Sequence, residues 1–105
     1  MSNFMHHAPR PGVLALSGDF TLDNAVAIKS VLLGALEQTQ RLEVDLLNVT
    51  KLDTAGVQLL LLLQREAVSR GVSLNWLGYS LAVEEVLDLL DLAHVLGRPS
   101  AVVWS

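Results

Sequence analysis

Cysteine is absent from the 105 residues, which excludes disulfides, thiolate metal sites and cysteine nucleophiles, and suits a reducing compartment. Basic residues are few. Seven Lys and Arg against eleven Asp and Glu give a formal charge of −4, so the clustered cations that neutralise nucleic-acid phosphates are missing, and no nucleic-acid partner is expected. Long apolar runs are also missing: the longest, residues 59–63, is five residues, whereas a bilayer span needs about 20, so direct membrane insertion is not expected. Residues 1–12 contain no continuous apolar segment followed by a small-residue cleavage signal. A cytoplasmic protein is expected, and Pro9 and Pro11 with Gly12 imply an irregular N-terminal segment over residues 1–12.

Glycine-rich phosphate-binding motifs are lacking too. A P-loop requires a glycine-rich turn closed by Gly-Lys-Ser/Thr, and a dinucleotide fingerprint requires three spaced glycines after the first strand, where Gly18 stands alone. No cofactor is expected. His6 and His7 are adjacent and His94 is far away in sequence, a spacing that fits no common metal site; His94 reads as a cap or surface residue. No serine sits in a nucleophile elbow. A small cytosolic hydrolase is the weakest reading, and the protein is not expected to be an enzyme.

What is present is a compact apolar pattern: 51% hydrophobic against 17% charged residues, enough for one domain over residues 1–105 with a substantial core. Residues 13–17 read as a short buried strand closed by Gly18, with residues 3–7 as an optional edge strand before it. Thr21 or Asp23 is placed to cap a helix whose Ala25, Ile28, Leu32, Ala35 and Leu36 recur at helical spacing. Residues 42–47 alternate as a second strand, residues 54–70 are helical and end at Gly71, and residues 72–77 form a third strand that Gly78 turns. Ser80 caps a last helix with Val83, Val86, Leu87 and Leu90 on its buried face. Residues 101–104 read as either a short strand or an apolar strap. Such strand–helix alternation implies parallel central strands joined by crossovers, with sites beyond their carboxyl ends.

The most informative stretch lies at such an end. Asp53-Thr54-Ala55-Gly56 places a hydroxyl beside a carboxylate where a buried strand gives way to a helix, whose first turn offers unpaired N–H groups and partial positive charge. Asp and Thr are also ordinary N-caps, and Gly an ordinary turn residue, so local evidence alone reads as capping. Leu59, Leu62 and Leu63 fall outside the stripe of Val57, Leu60 and Leu61, which leaves Leu62 as an expected exposed contact. Trp76 reads as core. Tyr79 reads as a satisfied phenol or, on the same sheet edge as Thr54, an interface anchor.

Asp45-Leu46, Val49 and Leu52-Asp53-Thr54-Ala55-Gly56-Val57, opening a Leu-rich helix, resemble the signature of the STAS domain, the anti-sigma factor antagonist family. The resemblance spans residues 13–97 and includes Leu16-Ser17-Gly18-Asp19. It implies a mixed sheet of about four strands with parallel β-α-β crossovers and helices mainly on one side. It also implies a binding protein that is not itself a catalyst. In the antagonist branch, a Ser or Thr at this helix start is phosphorylated by an anti-sigma kinase; in another branch, a single-domain relative binds the ATPase of a phospholipid-transporting ABC complex. The antagonists place the acceptor directly before the glycine, where this sequence has Ala55. The hydroxyl stands one position earlier, at Thr54, as in the lipid-transporter relatives. The expected partner is thus an anti-sigma-type serine kinase or an ABC ATPase, met by Asp53, Thr54, Ala55, Gly56, Leu62 and Tyr79, with Thr54 phosphorylation as a switch in the first case.

Overall fold

The computed structural model describes residues 3–96, leaving aside the side chains of Ala93 and His94; the expectations for residues 101–104 and for the His94 side chain lie outside this range. Four strands, β1 (Met5–His7), β2 (Val13–Phe20), β3 (Arg41–Leu52) and β4 (Ser73–Tyr79), form one sheet in the order β1-β2-β3-β4. The first pair is antiparallel and the other two are parallel. Helices α1 (Ala25–Glu37), α2 (Thr54–Arg70), α3 (Leu81–Leu89) and the short α4 (Ala93–Leu96) connect or follow the strands.

The pleat sorts side chains to two faces. Leu14 and Leu16 of β2, Leu42, Val44 and Leu46 of β3 and Trp76 of β4 join one buried cluster with Ile28, Leu32, Leu60, Leu63, Val83 and Leu87 from the helices. Each such aliphatic side chain contributes on the order of 2 kcal/mol by leaving water. Glu43 and Asp45, the intervening residues of β3, are only half-buried. Helices therefore cover one face, as the mixed-sheet expectation requires.

Several elements depart from the sequence reading. Of the irregular segment expected over residues 1–12, Met5–His7 forms the optional edge strand by pairing with Ala15–Ser17, and the Phe4 ring meets Phe20 edge-on at 6.2 Å. Strand β3 runs five residues past Leu47. Its pairing with β2 slips between Ala15 and Ser17 and again between Gly18 and Asp19, each time inserting one extra β3 residue, so the burial sequence Leu46, Val49, Leu52 loses its period of two. Gly78 does not turn the chain; it lies inside β4 opposite Asp45, after a slip that leaves Leu77 as the extra residue. Gly71, by contrast, ends α2 in the left-handed conformation at φ 70°, and the Ser80 hydroxyl accepts from the Val83 N–H to start α3.

Gly34 is a glycine with no steric reason to be one. It lies inside α1, outside the positive-φ region, and a Cβ there meets no neighbouring atom within 4 Å. Gly34→Ala is expected to stabilise the fold by about 0.5 kcal/mol through reduced backbone entropy of the unfolded chain, seen as a higher urea midpoint at unchanged slope.

Candidate functional site

The parallel strands β2 and β3 end together, with Phe20 opposite Leu52, and the residue after β3, Asp53, fastens both exits. One carboxylate oxygen, Oδ1, accepts from the Gly56 N–H at 2.9 Å and so caps α2; Oδ2 accepts from the Leu22 N–H at 2.9 Å, across 31 residues of sequence. Sequence reasoning missed the second bond. It placed the cap of the turn after β2 on Thr21 or Asp23, yet neither the 3-10 turn Leu22–Asn24 nor α1 has a side-chain cap of its own. The donor at Leu22 is served from the end of the neighbouring strand instead. Hydrogen bonds to an ionised acceptor are the stronger kind, about 1.5–3 kcal/mol each where water is excluded and less at this partly exposed turn.

Gly56 is buried because the Phe20 exit crosses directly above it. A Cβ at position 56 would collide with the Phe20 carbonyl oxygen and would lie 2.7 Å from Leu52 Cδ1. Asp53 and Gly56 are thus the structural half of the motif. Thr54 is the free half: it is exposed, it opens α2, and its hydroxyl has no hydrogen-bond partner among the described residues. The first intrahelical bond runs from Val57 N–H to the Asp53 carbonyl, and Asp53 takes the Gly56 N–H, which leaves the N–H groups of Thr54 and Ala55 directed at the surroundings.

Around Thr54, the strand ends add Asp19, Thr50 and Lys51. The Thr50 hydroxyl donates to Asp19 Oδ1 at 3.4 Å, and Asp19 pairs with Lys51 across the ladder. Along α2, Gln58 at i+4 is exposed and Leu62 at i+8 is half-buried. Leu62 was expected to be exposed. Helix α1 packs on α2, and Leu61 and Leu62 both lean against the core cluster, so neither leucine stands free.

Tyr79 is not brought to this site. It pairs with Leu46, six residues short of Leu52, roughly 20 Å along the strand at the usual rise. Trp76 is buried at 4% exposure, in the core as expected. Burial of the Tyr79 phenol pushes its pKa from 10.0 up to about 12. The neutral form is therefore favoured in the folded state, and the sign follows: Tyr79 leaves stability unchanged below pH 10 and lowers it as pH climbs from 10 toward 12, because the unfolded chain ionises first. A spectroscopic titration of phenolate absorbance is expected to place its midpoint near 12 in the native protein and near 10 in denaturant.

A four-stranded mixed sheet with helices on one face is the architecture of a STAS-type domain. Residues 4–98 match the family model described as "Mlab, STAS domain", and the chain belongs to that family. No curated protein matches the sequence significantly. Among solved structures, an anti-sigma factor antagonist from Mycobacterium paratuberculosis superposes with a TM-score of 0.76 at 16% identity, over 95% of this chain and 86% of that one. The anti-sigma factor antagonist SpoIIAA in its unphosphorylated form gives 0.66 at 17% identity, over 87% and 83%. The Bacillus cell fate determinant SpoIIAA in its phosphorylated form gives 0.64 at 16% identity, over 87% and 86%. At such identities the likeness is one of fold.

Among the described residues no helix is long and apolar enough to cross a membrane, and no group of three or more His, Asp and Glu converges as metal ligands would.

Proposed function

We propose that this protein is a non-catalytic regulatory module, working in the cytoplasm, that docks a kinase or ATPase partner on the face formed by Thr54, Ala55, Gln58 and the exposed edge of Leu62. The observation that carries the reading is the division of labour in Asp53-Thr54-Ala55-Gly56. Asp53 and Gly56 are committed to the fold, whereas the Thr54 hydroxyl and the two N–H groups beside it have no partner within the described chain. A partner carboxylate, or a phosphate on Thr54 itself, meets donors and a favourable helix end there. The anti-sigma factor antagonists of the same fold, one of them solved phosphorylated, support the regulatory reading. Tyr79 stands apart from this face and takes no part in it.

A second reading, a STAS subunit of a phospholipid-transporting ABC complex that binds its ATPase, is favoured by the Mlab description of the matching family and by Ala55 at the position before Gly56. Mass spectrometry of protein from its native cell, with and without the candidate kinase, separates the two. Phosphate on Thr54 that depends on the kinase supports the antagonist reading. A stable complex with an ABC ATPase and unmodified Thr54 supports the second, and a complex with neither class of partner overturns both.

A further inference from the structure

At the other end of the sheet from Thr54, the loop entering β2, the second half of α1 and the start of β3 enclose a groove of about 970 Å³. That size is at the upper end of the range of small-molecule sites, about 300–1,000 Å³. Val13, Leu14, Val31, Ala35 and Leu42 contribute apolar lining. Its charged residues are of one sign. Arg10, Arg41 and His6 line it and no lining residue is acidic, although acids outnumber bases eleven to seven in the chain as a whole. Neither Arg10 nor Arg41 is in a salt bridge among the described residues.

Gly34 is the second observation. It also lines the groove, inside a helix where alanine is intrinsically better, and open space surrounds the position its side chain would occupy. Neither backbone conformation nor core packing calls for glycine there. An unfilled groove does, because any larger residue at position 34 would project into it.

We propose that this groove binds a single-chain anionic amphiphile, a long-chain carboxylate, with the alkyl chain along α1 at Gly34 and the carboxylate between the guanidinium groups of Arg10 and Arg41. Charge complementarity selects the head group, since a guanidinium holds a carboxylate in a charge-assisted pair, and the apolar lining selects the tail. The site is separate from the docking face: β3 alone spans the twelve residues from Arg41 to Leu52, roughly 30–35 Å at the usual rise. The proposal therefore does not depend on the identity of the protein partner.

The test is calorimetric titration of the full chain with sodium dodecanoate below its micelle concentration, with protonated dodecylamine as the cationic control and acetate as the tailless one. Saturable one-to-one binding of dodecanoate is expected, with acetate and dodecylamine each at least about tenfold weaker. Gly34→Leu is expected to abolish binding while leaving the melting temperature intact, because its side chain enters open space. The double variant Arg10→Gln, Arg41→Gln, which leaves the apolar lining in place, is expected to weaken binding at least about tenfold. The proposal is overturned if dodecanoate does not bind saturably, if the amine binds as tightly, or if both variants retain wild-type affinity. It is equally overturned if sedimentation finds a wild-type dimer that Gly34→Leu dissociates, which would make a second copy of the chain the occupant.

Discussion

Thr54→Glu is expected to abolish partner binding while leaving the isolated domain as stable as the wild type. The two effects separate because the new carboxylate meets different surroundings in the two states. In the free protein it is exposed at the first residue of α2, where the helix dipole favours an anion by about 0.3–1 kcal/mol and offsets repulsion from Asp53. In the complex it would be enclosed against a surface built to meet a neutral hydroxyl. An uncompensated buried charge costs about 3–5 kcal/mol, and each 1.4 kcal/mol is tenfold in affinity, so a micromolar interface would weaken by about two to four orders of magnitude. Thr54→Ala sharpens the contrast. Its hydroxyl makes no bond within the described chain, so its loss should change stability by no more than about 0.5 kcal/mol, a smaller loss than removal of a cap. Denaturant midpoints that match the wild type for both variants, with binding lost in Thr54→Glu, are the expected result. A largely unfolded Thr54→Ala would make Thr54 a structural residue.

Gly56→Ala is expected to be the most damaging single methyl in the motif. The added Cβ would overlap the Phe20 carbonyl oxygen, which belongs to a strand exit and has no rotamer to escape through, and would press on Leu52 Cδ1 at 2.7 Å. Overpacking of a close contact typically costs about 1–3 kcal/mol, and a backbone neighbour places this case at about 3 or above. Displacing α2 to relieve the clash would also lengthen the Asp53 bonds to Gly56 and Leu22, both 2.9 Å. Urea unfolding is expected to show a markedly lower midpoint. A variant as stable as the wild type would mean that α2 can withdraw from β2 at little cost, and the rigid setting of Thr54 would be lost with it.

The parts of the fold written in local signals were legible. Alternation marked the first half of β3, helical spacing marked α1 and α2, and Gly71 and Ser80 marked a helix end and a helix start. What failed depended on partners distant in sequence. The second half of β3 was missed because two extra residues break its alternation, and those insertions are defined only by the pairing with β2. Gly78 is a common turn residue, and only its pairing with Asp45 places it inside a strand.

In the candidate site, the prominence of Asp53-Thr54-Ala55-Gly56 was readable, but the separation of structural from free residues was not. Asp53 caps α2 as local chemistry suggests, yet its second bond reaches Leu22, and Gly56 is held by Phe20, 36 positions earlier in the sequence. Leu62 looked surplus on a helical projection because its packing against the core cluster is invisible to a single-helix argument. The grouping of Tyr79 with Thr54 assumed that parallel strands end level; β3 outruns β4 by six residues.

Site-specific photocrosslinking in the native cell tests the docking face most directly, with the photoreactive residue at Gln58, one turn beyond Thr54 and exposed, and a control at Val68, exposed at 78% two to three turns further along α2. The account predicts an adduct with a kinase or ATPase from position 58 that Thr54→Glu removes, and none with that protein from position 68. An adduct of equal yield from both positions, or one from 58 that persists in the Thr54→Glu background, would contradict it.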